Sequence, residues 1–372
     1  MIPFVNLPAQ RKAYQLELEN AEKQVLDSGC YIGGPVVRQL EGELSRFLGP
    51  EGIGPEKAPE APECISCASG TDALSLALEA LEVKPGDEVI VPDFTFIAPA
   101  ECARRLGATV RFADINPETL QISAESVRNL VGPKTKGVIA VDLFGQCAPY
   151  RELREICQKN GLWLLEDSAQ AFGATQDGRA ACTFGDIAIT SFYPTKPLGC
   201  YGDGGALFTR NEKIAATVRE LANHGSTERY LHKRLGYNSR LDALQAAILL
   251  VKLKHFKDEL RVREKNATAY DQFFKDFARK VGYTIQPIKI AAGNTSTYAQ
   301  YTLLVENREH FLGLLEKAEI PYCIHYPMPL HQQPCFADKL TKCPITEDVV
   351  KKVVSLPICA WTDVEEIIAK LG

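Results

Sequence analysis

The sequence predicts an α/β protein wound around a largely parallel sheet, with a smaller α+β unit after it. Three observations lead there. Short apolar stretches alternate with helix-length stretches through the first two thirds of the chain, the pattern of repeated βα units. Polar residues follow several of the apolar stretches directly, as they do where parallel strands end at a ligand site. Finally, 372 residues, 45% hydrophobic and 24% charged, suffice for one large core and a second, smaller one.

Taken in order, a helix is expected around Tyr14 to Leu26, followed by a Gly-, Pro- and Glu-rich loop over 49–62 before the first core strand. Strands are expected at 87–92 (DEVIVP), 109–115 (TVRFADI), 136–145 (KGVIAVDLFG), 162–168 (LWLLEDS), 187–192 (IAITSF) and 205–209 (GALFT). Helices at Asp72–Leu81, Ala100–Leu106 and Tyr150–Lys159 fall between them. Leu241–Val281 reads as one long helix, apolar through Leu253 and amphipathic beyond, a bridge between two units. After Gly282 come a strand (Tyr298–Val305), a helix (Arg308–Ala318), an extended stretch (Pro321–Tyr326) and a terminal helix. The expected division is 1–250 and 251–372, the N-terminal helix joining the smaller unit.

Charge and cysteine content narrow the function. With 42 basic against 47 acidic residues the net charge is −5, so no global positive field is available to hold nucleic acid. The start, MIPFVNLPAQRKAYQ, carries no secretory signature and no apolar run approaches the roughly 18 residues of a membrane span, so a cytoplasmic protein without a membrane partner is expected. Twelve cysteines in such a compartment read as reduced, mostly buried residues. Cys64 and Cys67 form a CxxC with no second pair, which argues against zinc; no metal site is expected.

Chemistry should sit just after the strands. Cys64–Asp72 (CISCASGTD) turns into a helix, and a Ser-Gly-Thr turn aims backbone N–H groups and a hydroxyl at one point, which suits a phosphate, although Ser69 with Asp72 alone would be an ordinary N-cap. Glu166 and Asp167 end the apolar strand LWLL, where an acid either caps the next helix or serves a cation. Lys196 lies between prolines in the run TSFYPTKPLG, and a lysine in a rigid apolar turn has a depressed pKa and acts as an amine nucleophile. Gly202-Asp-Gly-Gly205 permits a tight return into the next strand. A phosphate cradle, a buried acid and an amine nucleophile are together what pyridoxal phosphate requires. No GxGxxG after a strand and no P-loop is present, which disfavours a nicotinamide enzyme.

The runs EDSAQAFGA (166–174), SFYPTKPLGCYGDGGA (191–206) and GYNSRLDALQAAIL (236–249) resemble the sugar-nucleotide aminotransferases of the DegT/DnrJ group, and the resemblance extends from PFVNLPAQ near the start to YPMPLH at 326–331. It implies the fold-type I aminotransferase architecture and a set of roles. Lys196 would link covalently to pyridoxal 5′-phosphate and shuttle the proton, with pyridoxamine phosphate as the cofactor's intermediate form. Asp167 would pair with the pyridine nitrogen and Gln170 with the 3-hydroxyl oxygen. Gly70, Thr71 and Ser191 would bind the phosphate, Phe96 would stack on the ring, and Asn238 would reach the phosphate site of a second copy, so that a homodimer shares its sites. Relatives that dehydrate instead carry a histidine at the lysine position; Lys196 favours amino transfer.

The runs SFYPTKPLGCYGDGGA (191–206) and HGSTERYLHKRLGYNSRLD (224–242) together most resemble enzymes that aminate UDP-2-acetamido-2-deoxy-3-oxo-glucuronate, which implies glutamate as amino donor and a surface polysaccharide such as O-antigen as destination. Arg240 is then the candidate for the carboxylates of uronate and glutamate, because a planar guanidinium matches carboxylate geometry. His325 and Tyr326 are candidate sugar contacts, and Arg229, His232, Lys233 and Arg234 form a basic cluster that could meet a diphosphate. His331 is read as structural. Two alternatives stand: amination at C4 of a UDP- or dTDP-4-keto-6-deoxy sugar, and a non-catalytic, cofactor-binding regulatory protein.

Overall fold

The computed structural model describes residues 2–49 and 61–372, so nearly all of the loop expected at 49–62 lies outside the described residues. Three helices lead in, α1 (Leu7–Ala13), α2 (Gln15–Ser28) and α3 (Gly34–Phe47). The chain then alternates β1 (Glu63–Cys67), α4 (Gly70–Ala80), β2 (Glu88–Pro92), α5 (Ala98–Arg105), β3 (Thr109–Ala113), α6 (Ala124–Leu130), β4 (Thr135–Val141), α7 (Tyr150–Asn160) and β5 (Trp163–Asp167). A two-residue hairpin, β6 (Thr175–Gln176) and β7 (Arg179–Ala180), precedes β8 (Ile187–Ser191), β9 (Gly205–Thr209) and α8 (Glu212–Ala222). The expected strands are all present: β9 spans the expected 205–209, β4 begins one residue early at Thr135, and the others lose one or two residues at their ends; residues 143–145 form a short 3-10 turn instead of extending β4.

These strands make one sheet in the order β1-β9-β8-β5-β4-β2-β3. All neighbours run parallel except those of β9, which is antiparallel to both β1 and β8. Sequence alone does not reveal that reversal. It follows from the short return at Gly202–Gly205, which leaves no room for a crossover helix. Helices cover both faces: α4, α5 and α8 bury Leu74, Leu78, Ala103, Val218 and Leu221 against one, and α7 buries Leu153 and Ile156 against the other. Along β1 the apolar side chains alternate, so Cys64 and Cys67 enter different cores and share no ligand position. Burial pushes both thiols up.

A second strand pair, β10 (Ser226–Glu228) and β11 (Leu231–His232), stands apart as an exposed strap. The long helix is confirmed as α9 (Ala243–Val281), started by Asp242, whose carboxylate accepts from Gln245 N, and stopped at Gly282 in the left-handed region. Beyond it β12 (Ile285–Pro287), β13 (Tyr301–Val305) and β14 (Val353–Leu356) form an antiparallel sheet, with α10 (Arg308–Lys317), α11 (Pro344–Val349) and α12 (Val364–Leu371) between and after the strands. Phe274 and Phe277 of α9 join Leu303, Phe311, Leu315, Leu356 and Ile367 in its core. The stretch Pro321–Tyr326 contributes only a bridge, Cys323 to Ser355. Of the N-terminal segment, Ile2 reaches this smaller core, whereas α2 packs Leu18 on Ile248 and Val251, in the half of α9 nearest the large sheet. Among the described residues no helix is long and apolar enough to cross a membrane.

Candidate active site

The parallel strands β1, β2, β4, β5 and β8 deliver their carboxyl ends to one edge, and the residues expected to act gather there. At the end of β1, Ser69 caps α4 by accepting from Asp72 N at 3.0 Å. The N–H groups of Gly70 and Thr71 are then the ones this helix start offers to an anion. Ser191, at the end of β8, lies so close that a Cβ at position 70 would fall 2.7 Å from its own Cβ. A glycine is therefore needed where α4 and β8 meet, and the concavity it leaves lies beside two backbone donors and a hydroxyl.

The two acids of β5 have opposite fates because successive strand residues face opposite ways. Glu166 turns toward the α7 face, where its carboxylate accepts from the N–H groups of Cys182, Phe184 and Gly185 and from the Ser168 hydroxyl. It organises the 182–185 loop, and burial holds its carboxyl above the ordinary range, as it does that of neighbouring Asp142. Asp167 turns the other way and is 4% exposed. One carboxylate oxygen accepts from Ala169 N at 3.1 Å; the other has no hydrogen-bond donor among the described residues. Burial pushes its pKa up to about 6, against the opposing pull of Ala169 N–H and of the Lys196 ammonium.

Lys196 sits in a turn closed by its own N–H on Tyr193 O at 2.8 Å. Its residue is half-buried. Burial pulls the amine below the ordinary lysine value, and Asp167 is the charge that opposes this. Gln170 has its carbonyl oxygen fixed by Phe144 N at 2.7 Å, which leaves its amide nitrogen as the donor, with the Tyr326 hydroxyl next to it. Tyr326 in turn lies 6.2 Å ring to ring from both Phe94 and Phe96, and Phe96 presents an exposed face. His325 bonds Ser355 Oγ through Nδ1 at 3.0 Å, and burial and the nearby Lys196 charge push its pKa down.

Gly70, Thr71, Ser191, Asp167, Gln170, Lys196, Phe96, His325 and Tyr326 thus share one edge within one chain. Asn238 and Arg240 stand apart from that set: both are exposed, and Arg240 donates to the side-chain oxygens of Asn238 (2.6 Å) and Asn223 (3.4 Å), with no carboxylate partner among the described residues. The segment is tied to the edge through Ser239, whose hydroxyl accepts from Ala68 N at 3.2 Å. The basic cluster is divided: Arg234 pairs with Glu220, His232 bonds His224 O and Arg229 lies over the Tyr230 ring.

Sequence reasoning passed over two arrangements. His331, read as structural, is buried against Asp93, giving its backbone N–H (2.8 Å) and Nδ1 (2.7 Å) to the two carboxylate oxygens and so fastening the 326–331 segment to the end of β2. Cys343 completes, with these two, a buried group of possible metal donors, but the donors already satisfy one another. Thr95, between the two phenylalanines, buries a hydroxyl with no hydrogen-bond partner among the described residues. Neither has a signal in the local sequence, since the partners of Asp93 lie more than 230 residues away.

The donor set fits pyridoxal phosphate. A glycine-made hollow at a helix start suits a phosphate, a buried carboxylate with one oxygen free suits a protonated ring nitrogen, and a desolvated amine suits a carbonyl.

Comparisons with known proteins agree. The family model described as "DegT/DnrJ/EryC1/StrS aminotransferase family" matches residues 13–371. A Pseudomonas aeruginosa protein named UDP-2-acetamido-2-deoxy-3-oxo-D-glucuronate aminotransferase is 42% identical over 99% of this chain and 98% of its own. An Acidithiobacillus ferrooxidans protein named for 3-amination of UDP-N-acetyl-3-dehydro-alpha-D-glucosamine is 38% identical over 96% of this chain and 92% of its own. Among solved structures, S. venezuelae DesV in complex with a ketimine intermediate superposes with a TM-score of 0.91 at 32% identity, covering 100% of this chain and 97% of that one. The chain belongs to the DegT/DnrJ/EryC1/StrS aminotransferase family, and its architecture is that of a fold-type I aminotransferase.

Proposed function

We propose that this member of the family transfers an amino group from glutamate to C3 of UDP-2-acetamido-2-deoxy-3-oxo-glucuronate. The observation that carries the reading is the desolvated Lys196 amine held opposite the buried Asp167 carboxylate, beside a helix start fit for a phosphate. The named activity of the Pseudomonas aeruginosa relative supports the choice of sugar.

Pyridoxal phosphate, when bound, supplies the electron sink that acidifies the carbon bearing the amine. Lys196 would hold the cofactor through Nζ, and the same amine would accept a proton from the donor's α-carbon in one half-reaction and deliver one to C3 of the sugar in the other. A lowered amine pKa keeps Nζ able to accept that proton near neutrality. Asp167 would hold a proton at the pyridine nitrogen, Gln170 would donate to the 3-hydroxyl oxygen, and Phe96 would cover the ring. Gly70, Thr71 and Ser191 bind the phosphate, with Asn238 of a second copy completing it in a homodimer. Arg240 takes the carboxylate of the uronate and of glutamate in turn, and His325 and Tyr326 line the sugar's side of the site. In this reading the chain divides near residue 250, works in the cytoplasm and feeds the synthesis of O-antigen.

The test is absorbance of the purified protein with each substrate alone. Glutamate should convert a band near about 420 nm to one near about 330 nm, and the 3-keto uronate should reverse it, giving ping-pong kinetics overall. Full turnover by Lys196→Ala would sink the assignment, and reversal by a 4-keto-6-deoxy sugar alone would replace the substrate.

A further inference from the structure

A second lysine is buried beside the first. Lys252, on α9, is 2% exposed, and its ammonium donates to the carbonyl of Gly199, three residues from Lys196 in the same turn. The Tyr201 ring lies 5.0 Å from Nζ. One polar row on α9 runs the length of the contact. Gln245, two helical turns before Lys252, accepts from Tyr201 N at 2.9 Å. Glu259, two turns after it, accepts from Gln10 at 3.1 Å, and Arg263 gives Nη1 to the carbonyls of Tyr298 and Ile358, both at 3.1 Å.

The turn itself has little freedom. A Cβ at Gly199 would lie 2.6 Å from the carbonyl oxygens of both Tyr193 and Pro194, and Cys200 N bonds Phe192 O at 2.8 Å. Its outer side is held to α9 at two points, Tyr201 N and Gly199 O. Burying an ammonium carries a desolvation cost that a single carbonyl acceptor does not fully offset. Its location gives the reason. Asp167 is the charged neighbour that bears on the Lys196 amine, whereas Lys252 meets the turn at the Gly199 carbonyl.

We infer that Lys252 is a positioning residue for amino transfer, clamping the Gly199 carbonyl so that the turn holds Lys196 toward Asp167. This rests on Lys196 being the cofactor-linked lysine. The clamp should loosen when the ammonium is lost, as pH rises through the lowered value of about 8. The groups facing it are Glu259 and Arg263 from α9, Cys200 and Tyr201 from the turn, Arg11 and Glu22 beside Tyr201, and Gln10 and Tyr14 against Glu259.

The experiment adds pyridoxal phosphate to cofactor-stripped protein and follows the band near about 420 nm. Lys252→Met should keep the wild-type Tm, yet form the band roughly tenfold more slowly and lose about tenfold in kcat with the KM for glutamate within about twofold, because a displaced nucleophile costs rate more than binding. Lys252→Arg, which keeps a donor and a charge, should recover part of the rate. Band formation by Lys252→Met within twofold of wild type, with Tm retained, overturns the inference. If Lys252→Met does not fold, Glu259→Gln decides: removing the carboxylate that favours the ammonium should move the alkaline fall in rate to lower pH, and an unmoved limb overturns the clamp. Lys196→Ala separates the two readings, because a band that still forms there sinks the assignment of Lys196, whereas normal behaviour of the Lys252 variants sinks only the clamp.

Discussion

The two ends of the site are built in opposite ways. Asp167, Gln170, Lys196 and Tyr326 are buried or half-buried on the ends of β5 and β8 and on a segment pinned by His331 and Asp93. The strap of β10 and β11 with the residues after it is exposed, Leu235 by 94% and Tyr230 by 83%, and Asn238 and Arg240 share that exposure. The buried end can tune pKa values because the surrounding chain excludes water, while the exposed end can only acquire a low dielectric when another surface covers it. An exposed apolar pair beside Asn238 and Arg240 is what the proposed homodimer would bury.

Substitution at each end should separate them. The largest effect belongs to Asp167→Asn: kcat is expected to fall by roughly a thousandfold, as for loss of a preorganised charge that acts in the transition state. The same change should stabilise the cofactor-free protein at pH 8. Burial raises this carboxyl from 3.8 to about 6, so its contribution to stability is full below the ordinary value and is lost as pH rises through 6, amounting to about 3 kcal/mol. Urea unfolding at pH 4.5 and 8 captures about 2 kcal/mol of it, and a pH dependence that survives Asp167→Asn would show that other groups set the buried end. An intermediate effect is expected for Arg240→Ala, roughly 10- to 100-fold in kcat/KM for the keto uronate, larger than for glutamate and with an unchanged Tm. A loss confined to glutamate would remove the reason for a uronate. The smallest effect on the fold is expected for Leu235→Glu, within about 0.5 kcal/mol for the monomer, with dissociation at micromolar concentration by sedimentation. A dimer unmoved by that charge would put the interface elsewhere.

The same contrast explains what the sequence made legible. The central strands could be read because their apolar runs are local, and Asp167 and Lys196 because one ends a strand and the other follows one within a few residues, whereas Gln170 was reached only through the family resemblance. The helix α3 and the strand β14 were missed, since their apolar residues make sense only against β1 and α9 in one case and β13 in the other. Nor could local pattern distinguish Glu166 from Asp167, or show that Lys252 meets Gly199 across 53 residues of chain. Such facts belong to the packing of remote elements. The strap is a third case: its charges were visible, but Arg234 and His232 turn out to be occupied by Glu220 and by His224 O.

One of those features constrains how this chain can change in length. Strand β5 sends Leu164 and Glu166 to one core and Leu165 and Asp167 to the other. A single residue inserted or deleted within 163–167 would therefore exchange the two acids, placing the loop-binding carboxylate against Lys196 and the other among the amides of 182–185. Two residues would restore the order. This stretch should count its length in pairs.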